Sequence, residues 1–267
     1  MKSLIAAFVM LMSLSAHAQI DWGKFEKEII AFVQQPKFVE KVLDNYGVAG
    51  VTRIVFREHL NEIYKNETVI SYIVEEMRMM GIDKIDAKNT FEFGKKFGSE
   101  LFLSLAMKGM ARLSPDEQRV FLNFMFRWMS VASIEDCKWM MTEGATSSAI
   151  DSGKIEIKYY TRLSKEELRA YLRFLRKSIV AEINDFPLPK TLNQNQIKIA
   201  DTAFENELDR LIKIGQVRIE VLQAMNDMNN SSAKDVCDAG KFIFSIVVNM
   251  RGFAGDLMVT KMILSMQ

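Results

Sequence analysis

Histidine and cysteine are scarce in this sequence, and with them most of the chemistry that enzymes and metal sites use. Two of the 267 residues are histidines and two are cysteines. Zinc is held by clusters of Cys and His side chains, which the chain cannot supply. The sequence also contains no H-E-x-x-H, G-x-S-x-G, glycine-rich phosphate loop or EF-hand loop. We therefore expect no metal and no cofactor.

A surplus of one sign of charge is missing as well. Lys and Arg number 35 and Asp and Glu number 34, which gives a formal net charge of +1. A protein that binds nucleic acid neutralises phosphates with an excess of basic residues. The balance of charges therefore predicts that nucleic acid is not a partner of this protein.

The apolar stretch at the start of the chain is too short to cross a bilayer comfortably. It follows Lys2 and ends before the small-residue pattern at 16–18, an arrangement typical of a signal peptide. Residues 1–18 are predicted to be removed by cleavage between Ala18 and Gln19. Because no cysteine follows this cut, we expect no lipid anchor there. The mature chain is predicted to be periplasmic or secreted.

The most apolar part of the mature chain is its C-terminal end, residues 242–267. Arg251, Asp256 and Lys261 interrupt it. Charged side chains are costly inside a bilayer, so this segment predicts one or two buried helices. We expect no transmembrane segment in the mature chain.

The two cysteines, Cys137 and Cys237, each lie near the start of a predicted helix, behind a serine that can cap it. In an exported protein such a pair is best explained as one disulfide. That bond would close a loop of about 100 residues and stabilise the fold by about 4 to 5 kcal/mol. The alternative is a pair of reactive thiols, because the N-terminus of a helix lowers the pKa of a thiol.

Helix starts followed by amphipathic spacing recur along the chain. Ser114 and Glu117 form the signature of a capping box, and Pro115 occupies the first helical position. Apolar residues then follow at spacings of three and four as far as Ala132. Such patterns predict an all-α, bundle-like protein of about nine to eleven helices and one disulfide, with two helical subdomains as one arrangement.

The composition divides the chain into segments. They are a signal peptide at 1–18, an N-terminal helical region at 19–144, a loop or short extended segment at 145–162, and a C-terminal helical region at 163–267 packed on the first. Residues 154–161 alternate like a strand. An exposed extended segment, half of a hairpin and the lead into a helix are the alternatives there. Long helices are predicted at 86–112 and 193–228, and a linker at 184–192.

One stretch of the sequence echoes another at an offset of 50. Residues 113–124 and 163–174 share Leu, Ser, Glu, Arg, Leu and Phe at matching positions. A duplicated helical hairpin of about 50 residues would produce this match. Two well-capped amphipathic helices that resemble each other by convergence are the simpler explanation.

Candidate catalytic residues are few and hard to tell from structural ones. His59 is the only histidine beyond the signal peptide, and a surface or capping role is the ordinary interpretation. A Ser-His-Asp site built on it is the alternative, because such triads assemble in space. A glycosidase needs two facing carboxylates. The candidates on predicted helices are Glu58, Glu75, Glu76 and Glu92.

Two groups of side chains could belong to binding surfaces. The polar face of the helix that begins at Ser164 is basic, and it is either a solvated face or a site for an anion or a lipid headgroup. Its members are Arg169, Arg173, Arg176 and Lys177. Methionines cluster at 77–80, 125–129 and 140–141, where they fill a core or line a groove for a lipid or a partner.

The sequence favours an exported, non-enzymatic binding or interaction protein of the bacterial periplasm or cell exterior. Such a protein would expose an apolar patch or groove to a protein partner or an apolar ligand. The first alternative is a carrier of a lipid or another apolar ligand, which would enclose a cavity of roughly several hundred Å³. The second is a carboxylate-dependent cell-wall hydrolase, which would need one acid with a raised pKa.

Overall fold

The computed structural model describes residues 21–81, 100–143, 155 and 157–266. The predicted signal peptide, with its cleavage position at Ala18 and Gln19, lies outside these residues. So do Glu92, most of the predicted helix at 86–112 and most of the loop predicted to begin at 145.

Every regular element in the described ranges is a helix, and eleven of the helices have defined bounds. They are α1 (Trp22–Val33), α2 (Pro36–Tyr46), α3 (Gly50–Tyr64), α4 (Glu67–Met79), α5 (Pro115–Val131), α6 (Ile134–Thr142), α7 (Lys165–Ile183), α8 (Gln194–Lys213), α9 (Ile219–Asn226), α10 (Ala233–Asn249) and α11 (Gly252–Leu264). Residues 100–110 and 157–160 are helical as well. The all-α prediction is confirmed, but with thirteen helices over the described residues the predicted count is slightly low.

Helix α5 begins as the sequence predicts. The Ser114 side chain accepts the Glu117 amide, and the Glu117 carboxylate accepts the Ser114 amide. Ser164 and Glu167 form the same reciprocal capping box at the start of α7. Each box pairs two amide groups that would otherwise have no partner inside the helix.

The prediction of a single long helix at 193–228 is wrong. Helix α8 ends at Lys213, and Gly215 then takes a left-handed conformation with φ of +70° before α9 begins at Ile219. Glycine adopts this conformation without a steric penalty, so it terminates a helix that the apolar spacing alone would continue.

The strand-like alternation at 154–161 does not produce a strand in its described part. Residues 157–160 form a helical turn instead, and both Tyr159 and Tyr160 are buried. The alternation of apolar and polar residues over so few positions does not separate a strand from one turn of helix. The lead into a helix is therefore the alternative that fits these residues.

Helices α5 and α7 occupy the centre of the fold. Helix α7 packs on α3 and α4, whereas α5 packs on α10 and α11. One continuous apolar core runs from Phe25 in α1 to Ile263 in α11. None of the helices in the described ranges combines the length and the apolar character that crossing a membrane requires.

Helices α5 and α7 lie antiparallel, and their contacts repeat the offset of 50 found in the sequence. Phe121 stacks on Phe174 with ring centroids 5.6 Å apart, and Phe124 stacks on Tyr171 at 3.5 Å. At the offset of 50, position 121 in α5 corresponds to 171 in α7, and 124 corresponds to 174. Each contact pair therefore becomes the other when the two helices are exchanged. Contacts of this reciprocal kind define a pseudo-twofold axis, as at an isologous interface.

The polar contacts between these helices obey the same axis. Arg127 pairs with Glu167 at 2.6 Å, and Lys177 pairs with Glu117 at 2.7 Å. Any two similar capped helices that pack antiparallel in this register would exchange partners in the same way. The geometry is therefore explained equally by a duplicated hairpin and by convergence.

The segments that lead into α5 and α7 continue this symmetry. Gly109 packs directly on the backbone of Ser178, and Tyr159 packs on Trp128 with ring centroids 5.6 Å apart. The two pairs again differ by 50 with the partners exchanged. Gly109 and Ser178 form a small pair on one side of the axis, and Tyr159 and Trp128 form a large pair on the other side.

The two cysteines form the predicted disulfide between α6 and α10. Cys137 and Cys237 are both buried, and their Cα atoms are 5.4 Å apart. Ser133 and Ser232 cap the two helices, each accepting the amide of the residue three positions on. The bond therefore joins two helix starts within the core.

Candidate functional site

A solvent-open cleft of about 950 Å³ lies where α5 begins and α7 ends. Val180 of α7 and Leu113, just before α5, contribute apolar walls, and Lys65 closes one side from the turn between α3 and α4. The remaining wall is the connection between α7 and α8, whose residues 186–188 and 190 line the cleft. The connection that the sequence predicts to be a linker is thus part of this cleft.

The buried guanidinium of Arg112 fastens this connection to the core. It donates to the Glu182 carboxylate at 2.7 Å, to the Asp185 carboxylate at 2.6 Å and to the Pro187 carbonyl at 2.9 Å. The Lys190 amide adds a hydrogen bond to the Ala111 carbonyl at 3.0 Å. Charge-assisted bonds of this kind are stronger than neutral ones, so the connection has one defined shape.

Two large apolar side chains project from the fastened connection. Phe186 is 73% exposed and Leu188 is 77% exposed, more than any other large apolar residue in the described ranges. Pro187 and Pro189 alternate with them. Arg112 contacts the chain on both sides of Phe186, through the Asp185 carboxylate and the Pro187 carbonyl.

Most of the cations around the cleft have a carboxylate partner. Arg176 pairs with Glu62, and Lys177 pairs with Glu117 at 2.7 Å. Arg169, further along the basic face of α7, pairs with Glu58. This part of the predicted basic face is therefore tied to α3 and α5 by ion pairs.

Lys190 has no such partner and, unlike the exposed Lys65, is shielded from water at its charged end. Its Nζ atom is buried and has no hydrogen-bond partner among the described residues. Burial lowers the pKa of this ammonium, while the charges of Glu117 and Asp256 act in the opposite direction. An ammonium without a partner in a desolvated position is costly, so an unpaired group of this kind is a candidate ligand contact.

The Glu117 carboxylate lines the cleft, and its pKa makes the stability of the fold depend on pH under acidic conditions. Its pKa is lowered to about 2, first by the hydrogen bond from Lys177 and then by the bonds from Ser114, against the raising effect of burial. A lowered pKa stabilises the fold above the ordinary value of 4.5, and this contribution is lost as the pH falls from there towards 2.

We expect Glu117→Gln to lower the free energy of unfolding at pH 6 and to have progressively less effect between pH 4.5 and pH 2. Glutamine keeps the geometry of the capping box but lacks the charge that Lys177 requires. Urea unfolding of both proteins across this pH range measures the difference. A difference that stays constant down to pH 2 would contradict the assignment.

His59 is partly exposed, but its Nδ1 is buried and has no hydrogen-bond partner among the described residues. Burial and the charge of Arg176 lower the pKa of the imidazole to about 3, although a backbone hydrogen bond to Leu172 raises it. A triad requires its histidine to be oriented by a carboxylate through this second nitrogen. The ring instead fills space between α3 and α7.

Three of the four candidate carboxylates of a glycosidase interact with other side chains. Glu58 and Glu75 each pair with an arginine, and Glu76 bonds to Tyr72. Arg169 lowers the pKa of Glu58, which is the opposite of what a general acid needs. No group of three potential ligand side chains in this part of the chain could hold a metal ion.

Most of the predicted methionine clusters belong to the core. Met77 and Met129 are buried, and Met140 and Met141 pack against the core. Two exposed methionines, at 79 and 80, end α4. The clusters do not line the cleft, so the groove interpretation has no support from its lining residues.

No family model, curated protein or solved structure matches this chain.

Proposed function

We propose that the protein is an exported, non-enzymatic binding protein whose cleft accepts the apolar part of a ligand. The observation that carries this proposal is the pair Phe186 and Leu188, held exposed at the rim by the Arg112 network. Exposed apolar side chains of this size mark interaction surfaces when they occur together beside a groove. The predicted signal peptide and the disulfide support export.

The shape of the cleft favours binding at the surface over transport inside a cavity. A carrier of the kind predicted as the first alternative would enclose its ligand. Here the space opens to solvent along the connection between α7 and α8. A ligand would therefore rest against Phe186 and Leu188 with part of its own surface still in water.

The proposal is tested with the neutral fluorescent probe N-phenyl-1-naphthylamine, titrated into the mature, oxidised protein. We expect the double variant Phe186→Ser/Leu188→Ser to bind the probe at least about tenfold more weakly, because each buried apolar side chain contributes about 1.5 to 3 kcal/mol. The matched control is Ile219→Ser/Phe253→Ser, which removes two comparably exposed side chains outside the cleft lining.

Equal affinity in the two double variants, or no binding by the wild type, would overturn the proposal. Native mass spectrometry of the protein from its own source, without reducing agent, provides a second readout. A retained adduct that the cleft variant loses and the control keeps is the expected result.

A further inference from the structure

We propose that the ligand is an amphiphile with one alkyl chain and one anionic headgroup, a carboxylate or a phosphate, that pairs with the ammonium of Lys190. This inference rests on the proposed function and adds the charge of the ligand to it. The alkyl chain lies against Phe186 and Leu188, and the headgroup points towards the inner wall of the cleft.

Lys190 is singled out by what its neighbours already bind. Among the cations that line the cleft, Arg112, Arg176 and Lys177 have carboxylate partners. Lys65 is exposed, so water solvates its ammonium. Lys190 Nζ has neither water contact nor a hydrogen-bond partner in the described chain. Lys190 as a whole is partly exposed and lines the cleft, so a change of its side-chain rotamer would present the ammonium to one anionic group there.

The nearest acids do not supply that group. Glu117 is occupied by Lys177 and by the serine of its capping box. Asp256 is occupied by Arg119 at 2.7 Å. Both raise the pKa of Lys190 through space without bonding to it. The Lys190 side chain thus lies in a partly desolvated position, where pairing with an anion is stronger than in water.

The space available fits a ligand of this kind. Small-molecule sites have volumes of about 300 to 1,000 Å³ and combine apolar walls with a few well-placed polar groups. The cleft of about 950 Å³ joins the walls of Leu113 and Val180 to the single unpaired ammonium. The apolar rim at Phe186 and Leu188 extends the walls outward, which suits a chain longer than the cleft is deep.

The test uses four decyl compounds below their micelle-forming concentrations, titrated calorimetrically into the mature, oxidised protein. Decanoate and decyl phosphate carry the proposed headgroups, decyl maltoside is neutral and decyltrimethylammonium is cationic. We expect the two anions to bind at least about tenfold more tightly than the other two, which corresponds to one additional charge-assisted contact.

The variant Lys190→Met should lose this preference and bind decanoate about as weakly as decyl maltoside. It removes an unpartnered buried charge and keeps the length of the side chain, so we expect it to fold. The matched control Lys65→Met removes an exposed cation from the same cleft and should change the affinity for decanoate less than twofold. A preference between the two anions identifies the headgroup as carboxylate or phosphate.

The two proposals fail in different ways. Tight binding of decyl maltoside, or unchanged decanoate binding by Lys190→Met, overturns the anionic headgroup while leaving the apolar cleft in place. Binding of an acidic peptide but of none of the decyl compounds also overturns it. If the variant Phe186→Ser/Leu188→Ser binds the neutral probe as tightly as the wild type, the proposal of an apolar binding site in the cleft is itself overturned.

Discussion

Replacing both Cys137 and Cys237 with alanine should lower the free energy of unfolding by about 4 to 5 kcal/mol. The disulfide closes a loop of 100 residues, so it removes a large part of the conformational freedom of the unfolded chain. Both sulfur atoms also belong to buried residues in α6 and α10. The loss is a large share of the 5 to 15 kcal/mol that stabilises a typical domain, by the order of magnitude known for such proteins.

Urea unfolding followed by far-ultraviolet circular dichroism measures this loss. The wild-type protein in reducing agent is the matched control, because its transition should shift towards lower urea by a similar amount. Treatment of the double variant with reducing agent should have no further effect. A loss below about 1 kcal/mol would mean that the bond does not constrain the unfolded chain as its loop length implies.

Gly109→Ala should destabilise the protein by about 3 kcal/mol or more, although it adds one methyl group. A Cβ atom at this position would lie 1.9 Å from the Ser178 carbonyl oxygen, which belongs to the backbone of α7 and cannot rotate away. The helical segment at 100–110 and α7 must therefore separate. Overpacking of this kind costs about 1 to 3 kcal/mol and more where the backbone has to move.

The control for this substitution is Gly23→Ala in α1. The nearest atom to a Cβ there is a side-chain oxygen of Asp21 at 3.6 Å, an ordinary contact. Because alanine favours a helix more than glycine does, Gly23→Ala should be neutral or stabilising by up to about 1 kcal/mol. Thermal unfolding that ranks the two variants in the reverse order would contradict the close packing at Gly109.

Local features of the fold could be predicted because they depend on residues that are adjacent in sequence. The capping box at Ser114 and its copy at Ser164 form as predicted, since a serine followed three positions on by glutamate supplies both hydrogen bonds. The disulfide also follows from composition, because two cysteines allow one pairing. The break between α8 and α9 at Gly215 is harder to predict, because apolar residues continue at helical spacing on both sides of this single glycine.

The site could not be predicted, because its parts meet only in the folded chain. Arg112 and Asp185 are 73 positions apart, and nothing in the sequence near either shows that they bond. The unpaired ammonium of Lys190 is likewise a property of its surroundings. The one available signal is the alternation of Phe186 and Leu188 with two prolines at 186–189, because large apolar residues are unusual in a solvated linker.

The pseudo-twofold axis between α5 and α7 has a consequence for ancestry and for stoichiometry. If the chain arose by duplication of one hairpin, that hairpin would have associated with a second copy as a symmetric homodimer. Such a dimer presents two equivalent ends. In the present chain the ends differ: two residues connect α5 to α6, whereas ten connect α7 to α8 and carry Phe186, Leu188 and Lys190. If the ligand proposed above binds at the longer connection, the chain therefore offers one such place, whereas a symmetric dimer of hairpins would offer two.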